Sequence, residues 1–289
     1  MNIKKYVKKM LSDKLVIKYK YYKKFGEKLN LKNPTTFSEK VQWIKIYGNL
    51  EKATCLIDKY EVRNYIENKI GKSYLNKIYG VYTDIDQIKF EDLPNRFVLK
   101  NTNGSGYNYI CTDKSKIDVN EVKDILNGWL NINYYGINGE IQYKNCVNRI
   151  LIEEYIEDKE GKLNDYKFFC LGGKVRVIEV DLNRGSNLKR DFYNCDWEKL
   201  NLKKGVENSD LIIKKPEKLE KMIELAEILS ENIELLRVDF YYVDNKIYFG
   251  ELTFTPANGF TAFYPKNEDL RLASYVDLSK YDLGVLDEY

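Results

Sequence analysis

Arg237-Val-Asp-Phe-Tyr-Tyr-Val-Asp-Asn-Lys-Ile-Tyr-Phe-Gly-Glu-Leu-Thr-Phe-Thr-Pro256 is the stretch whose reading decides the fold. Two runs rich in aromatic and β-branched residues flank a polar turn at Asp244-Asn245, which is the pattern of a β-hairpin. With a three-residue loop from Asp244 to Lys246, Val243 falls opposite Ile247, Tyr241 opposite Phe249, and Asp239 opposite Glu251. Side chains alternate faces along a strand, so Arg237, Asp239, Glu251 and Thr253 then share the open end of one face. The turn end of that face is apolar (Tyr241, Val243, Ile247, Phe249). Like charges set directly opposite each other destabilise a sheet unless a cation lies between them. Carboxylate oxygens with room for water and phosphate are what Mg²⁺ requires. A strict two-residue loop puts the two acids on opposite faces instead, and an edge hairpin with solvated acids is the plainer alternative.

Working outward, 289 residues suffice for a substantial core, in one large domain or two to three subdomains. Hydrophobic residues at 44% and charged residues at 31% are those of a soluble globular protein, and a net charge of +3 is too small to imply nucleic acid. Histidine is absent, which excludes Ser-His-Asp and Cys-His hydrolysis, His-ligated zinc and histidine general bases. Chemistry here must rest on Asp, Glu, Lys, Arg and bound metal. Cys55, Cys111, Cys146, Cys170 and Cys195 are widely spaced, with no Cys-x-x-Cys, and fit reduced thiols in a cytoplasm. No apolar run approaches the length of a membrane span, and no signal-peptide core follows the basic N-terminus.

Residues 1–28 hold ten lysines against Asp13 and Glu27, a net +8, so the remainder of the chain is net negative. Ile3, Tyr6, Val7, Met10, Leu11 and Leu15 recur at helical spacing. A basic amphipathic helix of this kind suits an anionic membrane surface; a solvated helix packed on the body of the protein is the alternative. Thr36-Phe-Ser-Glu39 forms a capping box that opens a helix through Trp43, Ile44 and Tyr47, closed near Gly48. A further helix is expected from Lys59 to about Ile70, stopped by Gly71. Phe97 to Lys100 reads as a strand, Asn101-Thr-Asn-Gly-Ser-Gly106 as a loop and Tyr107 to Cys111 as a returning strand. An amphipathic helix around Val122, Ile125, Leu126, Trp129 and Leu130 follows, then a strand from Arg149 to Ile156. Asp165–Leu171 and Lys174–Val180 form a second hairpin about Gly172-Gly173, and Pro216 opens a helix carrying Leu219, Met222, Ile223, Ala226 and Leu229.

Lys100 ends a strand and runs directly into a small, glycine-containing loop. Backbone N–H groups of such a loop approach phosphate closely while the ammonium neutralises it; an ordinary lysine before a turn is the alternative. Glu153 and Glu154 are candidates to receive an adenine amino group or ribose hydroxyls; one exposed acid and one helix-start acid is the alternative. Asp165 and Lys167 alternate with core aromatics, so both are candidates to point into a cleft, or to form a surface ion pair.

In this order, Lys, Gly loop, Glu-Glu strand, Asp-x-Lys hairpin, Val-Asp and Glu-x-Thr-x-x-Pro resemble the ATP-grasp superfamily over roughly residues 55–260. Ile57-Asp58-Lys59-Tyr60 looks like that superfamily's first nucleotide lysine. Phe97-Val-Leu-Lys100 with Asn103-Gly104-Ser105-Gly106 looks like the second lysine and mobile phosphate loop. Ile152-Glu153-Glu154-Tyr155-Ile156 is similar to the strand that binds adenine and ribose. Asp165-Tyr-Lys167 is similar to the Asp-x-Arg strand of the ribosomal-protein glutamate ligases, with Lys167 in place of arginine, serving the γ-phosphate. More loosely, Arg184 and Asn194 fall where those ligases carry a substrate-side arginine and an asparagine. Val238-Asp239 and Glu251-Leu-Thr253 look like the metal-binding strands, with Thr253 where asparagine is usual and Asn258 or water as substitute ligand. Phe37-Ser-Glu-Lys-Val-Gln-Trp43, Asp58-Lys-Tyr-x-x-Arg63 and Phe249-Gly-Glu-Leu-Thr-Phe-Thr255 resemble the TupA-like branch, associated with teichuronopeptide and other cell-surface polymers such as capsule.

The resemblance implies an α+β, ATP-grasp fold in which two α+β subdomains clamp ATP. The expected divisions are a basic helical extension over 1–50, a lid-side subdomain with the phosphate loop over 51–150, and a metal- and substrate-side subdomain over 151–289. It implies an ADP-forming, carbon–nitrogen ligase that uses ATP and Mg²⁺ and acts through an acylphosphate. Lys59, Lys100 and Lys167 would hold phosphate oxygens, Asp239, Glu251 and Thr253 the metal, and Arg184 the carboxylate or acylphosphate. The implied partners are a carboxylate-bearing surface polymer or its precursor (uronic acid or glutamate) and an amino acid, with no nucleic acid. The implied place is the cytoplasm, peripheral at the inner face of the membrane. A kinase on the same scaffold, a sugar transferase using Asp84-Ile-Asp86, and a non-catalytic assembly protein are the rival readings.

Overall fold

A computed structural model describes residues 13–157, 163–182, 187–284 and 286. Among them no helix is long and apolar enough to cross a membrane. Two antiparallel sheets organise the chain. Strands β1 (Ile78–Tyr82), β2 (Phe97–Asn101), β3 (Asn108–Cys111) and β4 (Ile150–Glu154) form one, in the order β1-β4-β2-β3. Strands β5 (Asp165–Leu171), β6 (Lys174–Leu182), β7 (Lys189–Tyr193), β8 (Leu235–Val243) and β9 (Lys246–Thr253) form the other, in the order β7-β6-β5-β8-β9. The α+β class read from the sequence is the class observed.

Each sheet is covered by helices on the face that its alternation makes apolar. In β2, Phe97 and Leu99 point inward onto Ile150 and Ile152 of β4, and the helix Val119–Leu130 closes that layer with Val122 and Leu126. Burying each such side chain contributes about 1.5–3 kcal/mol. The helix starts at Asp118, whose carboxylate accepts the N–H groups of Asn120 and Glu121 at 2.9 and 3.2 Å. The opposite face of the same sheet carries Val98, Lys100 and Glu153 and stays open. In the five-stranded sheet, the helix Leu219–Leu229 covers the face bearing Phe168, Cys170 and Phe240. The helix Phe37–Tyr47 has both halves of its capping box and ends at Gly48. It packs Phe37 edge-on against Phe169 and Phe263, at 6.1 and 5.1 Å.

Several expected boundaries shift for local reasons. The helix expected from Lys59 starts at Val62, because the Asp58 carboxylate caps a turn through the N–H groups of Tyr60 and Glu61. Pro216 stands three residues ahead of its helix, its carbonyl accepting the Leu219 N–H. The returning strand is Asn108–Cys111, and the Glu-Glu strand is Ile150–Glu154.

The acidic hairpin is built differently from its reading. Asp244 and Asn245 (φ 46° and 62°) form a two-residue loop, with Val243 paired to Lys246 and Tyr241 to Tyr248. Ile247 and Phe249 therefore fall opposite Tyr242 and Phe240, and the Phe240 and Phe249 rings lie 6.4 Å apart. A β-bulge at Gly250 then inserts one residue and restores Asp239 opposite Glu251. The backbones close tightly there: a Cβ on Gly250 would stand 3.0 Å from the Asp239 carbonyl oxygen.

Candidate active site

The two open faces meet across a cleft, one pocket of which has a volume of about 430 Å³ and is lined by Val98, Lys100, Ile110, Glu153 and Tyr155. On the four-stranded wall, strand alternation puts Val98, Lys100 and Glu153 on one face. Lys100 Nζ lies 2.5 Å from Glu153 Oε2, with Lys100 partly exposed and Glu153 buried. The loop that follows turns through Gly104 and Gly106, at φ 85° and 87°. A side chain at Gly104 would also collide with the Tyr134 ring, 2.4 Å away. Lys59 Nζ donates to the Gly104 carbonyl at 2.5 Å, tying the preceding helix-start segment to this loop. Burial lowers the Lys59 pKa, with Glu251 opposing and Lys100 adding to the fall. Ser105 and Gly106 face the cleft. Asn103 instead turns its amide to Asn148 Oδ1 (3.0 Å) and braces the loop from behind. Glu154, at the strand exit, accepts the Lys77 N–H at 3.5 Å.

The five-stranded wall carries a dense ion network. Its register places Asp165 opposite Asp181, Lys167 between Glu179 and Asp239, and Asp239 opposite Glu251. Arg237 joins the last two: Nε and Nη2 donate to the Asp239 carboxylate at 2.7 Å, and Nη2 also reaches Glu251 Oε1 at 2.6 Å. Thr253 Oγ1 donates to Glu251 Oε1 at 3.1 Å. Burial raises the Asp239 pKa despite Arg237, and Glu251 adds to the rise. For Glu251, Arg237 and Lys59 outweigh burial and hold the carboxyl down. Lys167 contacts Asp165 at 2.9 Å and bonds Asp181. Burial alone would lower its pKa; Asp165, Asp239 and Asp181 reverse that and keep it charged. Arg190 of β7 clamps Asp181 through Nε (2.6 Å) and reaches Glu179 at 2.9 Å.

The structure thus brings Lys59, Lys100, Ser105, Gly106, Glu153, Asp239 and Glu251 around one cleft, with Asp165 beside them. Lys167 stands in the same face but is buried within its ion pairs. Arg184 lies outside the described residues. Asn194 caps a surface turn, accepting the N–H groups of Asp196 and Glu198. Asn258 is engaged elsewhere than at Asp239 and Glu251: its Oδ1 accepts Lys45 and its Nδ2 donates to the Asn138 carbonyl. Asp84 and Asp86 are spent locally, Asp84 capping the Asp86 N–H at 3.0 Å and Asp86 pairing with Lys123 at 3.2 Å. Glu179, Asp181 and Arg190 escaped the sequence reading. Their signal was present: acids two residues apart in an otherwise apolar strand, Val177-Ile-Glu-Val-Asp-Leu182, mark one polar face.

A family model for TupA-like ATP-grasp proteins matches residues 39–277. The chain belongs to that family. It is a branch of the ATP-grasp superfamily, and the sheets above are this TupA-like protein's version of that fold. Solved structures similar to it include D-alanine–D-alanine ligase from Bacillus anthracis, at 15% identity and a TM-score of 0.48, over 86% of this chain and 76% of that one. The Helicobacter pylori D-alanine–D-alanine ligase is 14% identical, TM-score 0.43, over 83% and 69%. The ADP complex of N5-carboxyaminoimidazole ribonucleotide synthetase is 16% identical, TM-score 0.44; the match covers 75% of this chain and spans half the length of that synthetase. No curated protein matches the chain.

The TupA-like donor set fits Mg²⁺. Asp239 is buried yet its carboxylate faces a second carboxylate, with Arg237 as the cation now bonded to both. Among the described residues no group of three or more Asp, Glu, His or Cys could hold a metal alone. Two carboxylates and a hydroxyl beside a phosphate-type loop suit an ion that takes few protein ligands and completes its shell with phosphate and water.

Proposed function

We propose that this TupA-like protein is an ATP-dependent, ADP-forming carboxylate–amine ligase. One observation carries the reading: a lysine and glycine loop on one wall face two carboxylates on the other, across a single cleft. A carboxylate oxygen attacks the γ-phosphorus of ATP, the bond to the bridging oxygen breaks, and ADP leaves with an acylphosphate behind. The amine then attacks the acyl carbon and expels phosphate. Lys100 and Lys59 neutralise phosphate oxygens and the Ser105–Gly106 backbone offers N–H groups. Arg237, held by both carboxylates, keeps Asp239 and Glu251 side by side at the mouth of the cleft. Asp239, Glu251 and Thr253 would hold Mg²⁺, whose contribution is to neutralise phosphate charge. No tuned histidine is needed, since positioning and charge neutralisation dominate such transfers.

The proposed carboxylate donor is a cell-surface polymer or its precursor, a uronic acid or glutamate unit of teichuronopeptide or capsule type, and the proposed amine is an amino acid. The proposed place of work is the cytoplasm, at the inner face of the membrane. Supplying ATP, Mg²⁺ and candidate carboxylates with hydroxylamine tests the reaction class. A hydroxamate with ADP and phosphate is the expected outcome. ADP with a stable phosphorylated product and no hydroxamate replaces the ligase by a kinase, and AMP with pyrophosphate rejects the mechanism.

A further inference from the structure

Among the described residues, Lys59, Arg63 and Lys100 are the cations lining the inner chamber of the cleft, a space of about 120 Å³ shared with Ser105, Gly106, Asp239 and Glu251. Lys100 pairs with Glu153, and Lys59 bonds the Gly104 carbonyl. Arg63, second residue of the helix Val62–Lys69, is half-buried and has had no part in the chemistry so far. Its guanidinium is held by Asn76 alone: Nη1 donates to the side-chain Oδ1 at 2.9 Å and Nη2 to the backbone carbonyl at 2.6 Å. Both acceptors are neutral. They fix the plane of the guanidinium without cancelling its charge, and three of its five N–H donors are left for a ligand. Burial lowers the Arg63 pKa, with Glu153 opposing from beyond ion-pair distance. A cation withdrawn from water without an acid beside it is costly until an anion arrives. A planar fork of N–H groups suits two oxygens of one phosphate.

The position says which phosphate. Asn76 lines both the inner chamber and the larger one of about 430 Å³, walled by Val98, Ile110, Tyr155 and Phe249. Those apolar walls suit a flat base. Asp239 and Glu251 mark the opposite end, where phosphoryl transfer is proposed. Arg63 therefore stands at the junction of the two chambers. The charges around it agree: Glu251 is the foremost charge acting on Lys59, whereas Glu153, Tyr60 and Glu67 act on Arg63. In a nucleotide laid between base chamber and metal row, the phosphate at that junction is the first one.

We propose that Arg63, held by Asn76, binds the α-phosphate, so that the cleft recognises an adenine nucleotide by its first phosphate as well as by its base. This rests on the ATP reading of the cleft. The contact stands apart from the metal row and needs no Mg²⁺.

The test is calorimetric titration of the full chain with adenosine, AMP and ADP, in EDTA. In the parent, AMP should bind at least about tenfold more tightly than adenosine, the scale of a charge-assisted hydrogen-bonded pair. In Arg63→Gln, AMP should fall to the level of adenosine, while adenosine stays within about twofold of its parent affinity. Equal affinity for adenosine and AMP in the parent overturns the proposal, whether or not Arg63→Gln folds. So does binding of ADP with no binding of AMP. An advantage of AMP that survives in Arg63→Gln overturns it as well. A loss shared equally by adenosine and AMP makes Arg63 a brace for Asn76 and has the same result. Failure of all three to bind, with Mg²⁺ restored for ADP, breaks the ATP reading itself, and this proposal with it.

Discussion

The two walls of the cleft handle charge in opposite ways. On the four-stranded wall, Lys100 keeps about a quarter of its side chain exposed (24%) and answers to one acid, Glu153, among apolar neighbours such as Val98 and Ile110. On the five-stranded wall, Lys167 and Asp181 are buried, Arg237 is mostly so, and each bonds two or more opposite charges. The first wall has charge that a ligand can recruit by displacing a single partner. The second is a finished lattice whose geometry is set before any ligand arrives, which is what preorganised electrostatics require. One wall is built to bind and release, the other to hold still.

The hardest way to break this contrast is Glu251→Gln. It removes the carboxylate proposed to hold the metal, whose side chain is 41% exposed, so the fold should survive with a nearly unchanged melting temperature. Mg-ATP turnover should fall by roughly a hundred- to a thousandfold, the scale for deleting one electrostatic group from a preorganised site. Turnover close to the parent level would remove the carboxylate pair from the mechanism.

The contrast is sharpest in two lysines. Lys167→Met takes one member from a buried network and should cost about 3–5 kcal/mol of stability in denaturant unfolding. Lys100→Met takes a solvent-reachable partner and should cost about 1 kcal/mol, while ATP affinity measured by titration collapses. If Lys100→Met proves the more destabilising, or Lys167→Met the stable variant that merely loses ATP, the two walls have been assigned the wrong way round. A smaller effect is expected at the bulge. Gly250→Ala places a methyl group 3.0 Å from the Asp239 carbonyl, a tight fit that should cost about 1–3 kcal/mol. It should also lower turnover, since Asp239 and Glu251 stay opposite each other only through that residue. A variant as active and stable as the parent would mean that the bulge tolerates relaxation.

How far the sequence reached follows from the range of the interactions involved. The capping box at Thr36 to Glu39 and the hairpin about Asp244-Asn245 are local, and both stand in the structure. The pairing of Asp239 with Glu251 was also legible, though by the wrong route: a three-residue loop and a two-residue loop with a bulge give the same opposition at that end. Choosing between them needs the close approach of Gly250 to the neighbouring backbone, which no local pattern encodes. Strand β1 (Ile-Tyr-Gly-Val-Tyr) is half-buried throughout, so it lacks the alternation that marks a strand. Strand β7 starts with Lys189-Arg190-Asp191, a polar run that becomes a strand only because Asp181 and Glu179 await Arg190 next door. Lys167 looked available for phosphate because its principal partner, Asp181, is fourteen residues away and arrives only through the Gly172-Gly173 turn.

Outside both walls, the helix Asp13–Phe25 supplies a third way of using charge, and the weakest effect. Ile17 and Tyr21 anchor it through a small core with Leu29. Leu15, Tyr19 and Tyr22 remain exposed (51%, 63% and 55%) on a side flanked by Lys18 and Lys23, with Lys24 exposed further round the helix. Neither wall of the cleft uses these lysines. Aromatic and aliphatic side chains ringed by ammonium groups suit the interface of an anionic bilayer, where each lysine contributes about 1 kcal/mol that salt removes. The full chain is therefore expected to sediment with phosphatidylserine vesicles at low salt and not with purely zwitterionic ones. The triple change of Lys18, Lys23 and Lys24 to Glu should abolish that while leaving ATP turnover in solution untouched. Equal sedimentation of parent and variant would leave this helix as packing for the body of the protein. Turnover lost together with membrane binding would tie the helix to the cleft after all, and the charge on all three regions would have to be read as one system.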